Sequence, residues 1–182
     1  MSKVYVFLAD GFEEIEGLTV VDLLRRAGEE VEMVSIMGRK MIEGAHKIRV
    51  EADRLFEETD FTDGAMLVLP GGMPGTNHLA AYQPLTDLLL SWQEEKKQMA
   101  AICAAPSVLG MLGILRGKEA VCYPGFEEKL EGAVIGTGTV AVTDYVITSR
   151  GLGTAIDFAA ALIERLQNKE KAQNIKDSII YK

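Results

Sequence analysis

The stretch that decides the fold is Met99-Ala-Ala-Ile-Cys103-Ala-Ala-Pro106-Ser-Val-Leu-Gly110. Residues 99–102 are continuously apolar rather than alternating, which is typical of a buried strand. Pro106 suits the first turn of a helix, where its missing N–H would have had no partner. Cys103 is therefore predicted at a sharp turn from strand into helix. This is the geometry of a nucleophile elbow, in which hydrolases carry a serine between glycines.

Two interpretations of Cys103 follow from this placement. A thiol at the start of a helix lies near the positive end of the helix dipole, which favours the reactive thiolate. Free cysteine is also among the most buried residue types, so Cys103 alternatively only fills space in the core. The stretch by itself leaves both open.

Composition narrows the possible classes of protein. A chain of 182 residues is expected to form one domain, residues 1–182, with a substantial core. The net charge of −8 argues against a nucleic-acid partner and against binding to an anionic membrane surface. Only two cysteines, Cys103 and Cys122, and no apolar leader segment predict a reduced, cytoplasmic protein. No apolar run approaches the length of a membrane span.

Metal and cofactor sites are not expected. His46 and His78 lie far apart in the sequence, and no pair of Cys or His residues has the spacing of metal ligands. The chemistry considered below requires neither a metal ion nor an organic cofactor.

The order of elements predicts an α/β sandwich with a mostly parallel sheet and helices on both faces. Strands are predicted at residues 3–9, 30–36, 65–69, 99–102 and 118–123, with two or three more within 134–148. Helices are predicted with Glu16 in the first turn and Gly28 at the end, at residues 85–97, 106–112, 126–130 and 155–167, and from 169 onward, while residues 38–53 are expected to form an excursion or a hairpin rather than a helix.

Three suggestive features follow strands of this sheet. The glutamates of residues 13–16 follow the first strand, Gly71 and Gly72 follow the third, and Cys103 follows the fourth. Ligands of open α/β sheets bind at the carboxyl ends of the strands, so these features should converge. This convergence favours a functional Cys103.

Each partner of Cys103 also has a structural interpretation. Glutamates at a helix start commonly serve the helix dipole and solvation. Glu16, however, begins the apolar periodicity, so we expect it to face inward while Glu13 and Glu14 face solvent. A carboxyl beside a thiolate would have a raised pKa and donate a hydrogen bond to sulfur. Gly71 and Gly72 form either a plain tight turn or an oxyanion site built from backbone N–H groups.

Four segments together resemble the signature segments of the DJ-1/ThiJ/PfpI family, in the family's order and spacing. They are Ala9-Asp-Gly-Phe-Glu-Glu-Ile-Glu16, Leu69-Pro-Gly-Gly72, Ala101-Ile-Cys-Ala-Ala-Pro106 and Thr148-Ser-Arg-Gly-Leu-Gly-Thr154. The resemblance spans residues 3 to about 172 and is greatest to the DJ-1/ThiJ branch. It implies a flavodoxin-like three-layer sandwich and a homodimer. It also implies Cys103 as nucleophile, Glu16 as its protonated partner, and an anion pocket from the N–H groups of Gly72 and Ala104.

The sequence departs from the family pattern at three positions. Ala104 stands where the protease-like branch has histidine, and Tyr123 where the DJ-1 branch often has one. His46 stands roughly in place of a basic residue near the pocket. We therefore expect Gly71, His46 and Tyr123 to line the pocket. Without a Cys–His pair a peptidase is disfavoured, because the leaving amine needs a proton donor.

Three functions remain open at this point. The first is a cofactor-independent enzyme acting on small α-oxoaldehydes or on early glycation adducts, like the family's glyoxalases and deglycases. The second is an oxidative-stress sensor or redox-linked chaperone that works through a Cys103 sulfinate. The third is an inert domain whose cysteine only packs.

Overall fold

A seven-stranded, mostly parallel sheet forms the centre of the protein. The computed structural model describes residues 2–182. Its strands are β1 (Lys3–Leu8), β2 (Glu30–Ser35), β3 (Met41–Glu43), β4 (Arg49–Glu51), β5 (Arg54–Leu55), β6 (Met66–Leu69), β7 (Gln98–Ile102), β8 (Glu119–Ala120), β9 (Val134–Ile135), β10 (Val140–Val142) and β11 (Val146–Ser149). The sheet order is β10-β11-β7-β6-β1-β2-β5, and within it only the β10–β11 pair is antiparallel.

Six helices cover the two faces of this sheet. They are α1 (Glu14–Ala27), α2 (Gly75–Ala81), α3 (Gln83–Glu94), α4 (Pro106–Met111), α5 (Ala155–Leu166) and α6 (Lys169–Ser178). Helices α1, α5 and α6 pack together on one face, whereas α2, α3 and α4 supply the apolar core on the other. The α/β flavodoxin-like sandwich predicted from the sequence is confirmed.

Strand β1 shows why the sheet is buried on both sides. Successive side chains of a strand point to opposite faces. Val4, Val6 and Leu8 belong to the core beneath α1, while Tyr5 and Phe7 belong to the core on the other face. All five side chains are fully buried, so a continuous apolar run was required. The prediction of a single domain over residues 1–182 stays a prediction, although the described residues share this one central sheet.

The structure corrects two predicted elements. The strand predicted at residues 118–123 is reduced to β8, because the N–H of Val121 donates to Thr148 Oγ1 at 3.0 Å instead of to a strand backbone. The helix predicted at 126–130 is a single 3-10 turn, Glu127–Lys129, closed by the Lys129 N–H bond to the Phe126 carbonyl at 3.0 Å.

Two elements were missed, and a region that the sequence left open between an excursion and a hairpin forms a hairpin. The sequence did not predict α2, a seven-residue helix without a side-chain cap, or the two-residue edge strand β5. The hairpin within residues 38–53 is the antiparallel β3–β4 pair. It folds back onto the start of α1, where the Ala45 N–H donates to the Phe12 carbonyl at 2.8 Å.

Candidate active site

Cys103 lies at the turn between β7 and α4 in a strained backbone conformation. Its φ of 65° falls in the left-handed region, which is uncommon for a residue other than glycine. Two backbone bonds hold it there. Its N–H donates to the Ser149 carbonyl at 3.0 Å, and its carbonyl accepts from the Tyr123 N–H at 2.8 Å. The thiol is partly exposed, so the predicted elbow geometry is present.

Glu16 approaches Cys103 from the first turn of α1. Its side chain is almost completely buried and lies beside Cys103, with both side chains in contact with Gly71. The Gly71 N–H donates to Glu16 Oε2 at 3.0 Å. Glu16 therefore faces inward as its periodicity predicted, and the two side chains meet where β1, β6 and β7 end.

Glycine is required at residues 71 and 72 by close packing. A Cβ atom on Gly71 would lie 2.5 Å from the Cβ of Cys103 and 2.6 Å from Glu16 Oε2. Gly72 has a φ of 93°, and a Cβ there would lie 2.2 Å from the Glu13 nitrogen. The turn after β6 can approach the site this closely only without side chains.

Cys103 and Glu16 influence each other's pKa values, so they are considered as one titrating pair. Burial raises the pKa of Glu16 to about 7, against the hydrogen bonds from Cys103 and Gly71 and with the help of the Glu13 charge. Burial and the Glu16 carboxylate raise the pKa of Cys103 to about 12, while the backbone N–H groups of Ala104 and Gly72 oppose the rise. The pair accordingly gives up one proton near neutral pH and holds the other.

This result corrects the expectation that the helix dipole favours the Cys103 thiolate. Burial and the Glu16 carboxylate raise the pKa of Cys103 by more than the backbone N–H groups of Ala104 and Gly72 lower it. A Cys103 thiolate therefore requires that the proton remaining in the pair move to Glu16. With the proton on Glu16, the sulfur bears the charge and faces the N–H groups of Gly72 and Ala104.

Glu13 and Glu14 do not face solvent as expected. The Glu13 side chain is 13% exposed, and Glu14 is only 1% exposed because the β3–β4 turn covers it. Burial disfavours its charge, yet the backbone N–H of its own residue and hydrogen bonds from His46 and Ile48 hold the pKa of Glu14 below its ordinary value. The His46 N–H donates to Glu14 Oε1 at 2.7 Å. No local signal in α1 could have revealed this long-range cover.

His46 and Tyr123 lie next to different residues around the Cys103–Glu16 pair. The imidazole of His46 is 67% exposed and lies beside Glu13 and Glu14, with Nδ1 3.3 Å and 3.0 Å from their carboxylate oxygens. Tyr123 is about half exposed. Its ring lies beside Gly151, where a Cβ would sit 3.3 Å from the ring and 3.9 Å from Glu16 Oε1. Gly151, which belongs to the fourth signature segment but had no predicted role, thus lies between Tyr123 and the Cys103–Glu16 pair.

Among residues 2–182, Glu13, Glu14 and His46 are the one group of three potential ligand side chains whose atoms lie within 4.8 Å of one another. Hydrogen bonds and ion pairs between them account for this cluster, and we assign it no metal. In the part of the chain described, neither histidine is hydrogen-bonded to Cys103. Cys122 is buried, as expected for a core thiol.

Comparison with known proteins identifies the family. The sequence model of the DJ-1/PfpI family matches residues 2–165. The chain belongs to the DJ-1/PfpI family. The protein DJ-1 homolog B of Arabidopsis thaliana is 35% identical over 98% of this chain, which spans only 41% of that relative. The chain also spans 46% of the Arabidopsis DJ-1 homolog A, so it covers less than half of both relatives.

Two further members of this family are informative. A protein of Pyrococcus abyssi named as a deglycase is 31% identical over 72% of this chain and 78% of its own length. Toxoplasma gondii DJ-1, solved in oxidized form, is 37% identical and superimposes with a TM-score of 0.95. That match covers 100% of this chain and 99% of the other. Within residues 2–182 of this family member, no helix has both the length and the apolar character needed to cross a membrane.

Proposed function

We propose that this protein is a cofactor-independent enzyme that converts small α-oxoaldehydes, or their early adducts with amino and thiol groups, into hydroxy acids. The observation that carries the proposal is the placement of the buried Glu16 carboxyl beside Cys103 at the strained turn after β7, where both side chains contact Gly71. The deglycase-named relative from Pyrococcus abyssi supports this reaction class.

The first step uses the proton shift within the pair. With the proton on Glu16, the Cys103 thiolate attacks the aldehyde carbon and forms a C–S bond, while the carbonyl electrons move to oxygen. The N–H groups of Gly72 and Ala104 stabilise the developing oxyanion. Glu16 then transfers its proton to that oxygen, which gives a hemithioacetal and leaves a carboxylate.

The later steps use the same carboxylate as a base. Glu16 removes the proton from the former aldehyde carbon and returns it to the neighbouring carbon, so that the hemithioacetal becomes a hydroxyacyl thioester. Water cleaves this thioester and releases the hydroxy acid and the free thiol. For methylglyoxal the sum is one substrate and one water to one lactate, without an external oxidant or reductant. A peptidase is disfavoured, because no positioned histidine supplies a proton to a leaving amine.

The experiment is consumption of methylglyoxal with detection of lactate, comparing the wild type with Cys103→Ser. The matched control is Cys122→Ser, since Cys122 is a buried thiol outside the Cys103–Glu16 pair. We expect turnover in the wild type and control and its loss in Cys103→Ser. Equal turnover in all three proteins, or none in the wild type, would reject the enzyme.

The second candidate function is an oxidation sensor or a redox-linked chaperone. The oxidized state of Toxoplasma gondii DJ-1, whose fold superimposes on this one, favours it. Here the Cys103 thiolate takes one oxygen from each of two peroxide molecules, releasing two waters and leaving a sulfinate. Protonated Glu16 and the N–H groups of Gly72 and Ala104 would bind its oxygens. Peroxide-dependent gain of two oxygens at Cys103, without oxoaldehyde turnover, would select this function.

We further propose that the protein is a cytoplasmic homodimer. Among the described residues both cysteines are free, which suits a reducing compartment. An apolar groove of about 560 Å³ between α1 and β2 is lined by Leu18, Val21 and Met33 and rimmed by Asp22, Arg25 and Arg26. A second copy would cover this surface with charges of both signs at its rim. Sedimentation equilibrium tests the dimer, and Val21→Asp should shift it towards monomer.

A further inference from the structure

The imidazole of His46 is held beside two carboxylates at the start of α1. Its Nδ1 lies 3.0 Å from Glu14 Oε2 and 3.3 Å from Glu13 Oε2. The backbone of the same turn is fixed independently, because the His46 N–H donates to Glu14 Oε1 at 2.7 Å. The position of the turn therefore does not depend on the imidazole, which leaves its charge free to act on the carboxylates.

Glu13 lies between His46 and the buried pair. It is the N-cap residue of α1, three residues before Glu16, and its charge acts on Glu16. Its side chain is only 13% exposed, so its charge is weakly screened by solvent. The N–H of Glu13 donates to the Gly71 carbonyl at 2.8 Å, and the N–H of Gly71 donates to Glu16. Gly71 thus ties both glutamates to one turn.

We propose that His46 is a positioning residue that acts through Glu13 to set the pH at which the Glu16–Cys103 pair gives up its first proton. This inference uses the Cys103–Glu16 pair of the proposed function but holds whatever the substrate is. When His46 is protonated, it neutralises Glu13, and Glu16 ionises more readily. When His46 is neutral, the charge of Glu13 opposes the ionisation of Glu16.

Among the described residues, few charged groups face His46 and Glu16. His46 faces Glu13 and Glu14, while the neighbouring Lys47 pairs with Glu43 at 3.3 Å. Glu16 faces Cys103 and Glu13. The hydrogen bond with Glu14, and then the charges of Glu13 and Glu14, raise the pKa of His46 above its ordinary value. His46 accordingly keeps its proton to a higher pH than an ordinary imidazole does.

The inference predicts that substitutions of the neighbouring residues Glu13 and His46 shift the pH midpoint for loss of the first proton in opposite directions. Glu13→Gln removes the repelling charge, so the midpoint for loss of the first proton should fall. His46→Asn removes the compensating charge, so the midpoint should rise. Each shift should reach up to about one pH unit for charges at this range. A general loosening of the site would move both variants in the same direction.

The experiment measures the rate of Cys103 alkylation by iodoacetamide from pH 5 to pH 9, with peptide mass spectrometry on the full chain. The variants are Glu13→Gln, His46→Asn and the double variant, and His78→Asn is the matched control. We expect the pH midpoint to fall in Glu13→Gln and to rise in His46→Asn. The double variant should have the midpoint of Glu13→Gln alone, and the control should have that of the wild type. If His46→Asn does not fold, His46→Gln replaces it.

Unshifted midpoints would overturn the inference, and so would either of two other results. One is a shift of the same sign in both single variants. The other is a His46→Asn shift that persists undiminished in the Glu13→Gln background, since His46 would then not act through Glu13. Methylglyoxal turnover is measured in parallel. Absent turnover with shifted midpoints rejects the proposed enzyme alone, whereas normal turnover with unshifted midpoints rejects this inference alone.

Discussion

A Cβ atom on Gly71 would lie 2.5 Å from the Cβ of Cys103, so these two residues touch through backbone and side chain without space for one more carbon. The same Cβ would lie 2.6 Å from Glu16 Oε2, which already accepts the N–H of Gly71 at 3.0 Å. The turn after β6 thus contacts both reactive side chains through Gly71.

Gly71→Ala should therefore damage both stability and reactivity. Overpacking of this kind typically costs about 1–3 kcal/mol of the free energy of unfolding. The substitution should also separate Glu16 from Cys103 and alter the pH dependence of thiol alkylation. Urea unfolding and iodoacetamide kinetics measure the two effects. Gly153→Ala is the matched control, because no atom lies within 4 Å of its Cβ position. Equal stability of the two variants would contradict the packing argument.

Glu16→Gln should make stability less dependent on pH. Burial raises the pKa of Glu16 from 4.5 to about 7, so the folded state retains a proton that the unfolded chain loses. Stability from this group is complete below pH 4.5 and falls as pH rises through 7. The glutamine variant lacks that loss, so relative to the wild type it should gain about 3 kcal/mol between pH 4 and pH 8. Urea unfolding at both pH values gives the difference, and a difference that is independent of pH would show that Glu16 is not held protonated.

The sequence was informative where one local pattern determined the outcome. Continuous apolar residues predicted β7, and Pro106 and the small residues around it predicted the turn that carries Cys103. Glu16 could be expected to face inward because it begins the apolar periodicity of α1. The family resemblance added the role of the pair, which no spacing alone contained.

The sequence failed where contacts between distant segments determined the outcome. Glu14 reads as a solvent-exposed residue of a helix start, yet it is buried by a hairpin whose residue 46 is 32 positions away. Strand β8 was predicted too long because a side chain, Thr148, takes the place of its backbone partner. The pKa of Cys103 also depends on burial and on Glu16, which outweigh the backbone N–H groups of Ala104 and Gly72.

Glu14→Ala should release the turn between β3 and β4. The carboxylate accepts the backbone N–H of His46 at 2.7 Å and that of Ile48 at 3.4 Å, and alanine would leave both without this partner. We expect a loss of about 1–3 kcal/mol. Amide hydrogen exchange at both residues should accelerate, whereas exchange in β7 should change only as far as global stability does. Glu51→Ala, exposed on β4, is the matched control; protection retained at residues 46 and 48 would contradict the anchoring role.

The two cysteines should differ strongly in reactivity in the native protein. Cys122 is 4% exposed, and burial, with the charge of Glu127, raises its pKa to about 11. Cys103 is partly exposed, and under the proposed mechanism the proton left in the Cys103–Glu16 pair moves to Glu16 when the sulfur reacts. Iodoacetamide at pH 7.5 should therefore modify Cys103 at least about ten times faster than Cys122. Peptide mass spectrometry measures both rates, and in urea the ratio should approach one because both thiols are then solvated. Equal rates in the native state would leave Cys103 as a packing residue, and both functions that depend on it would be abandoned.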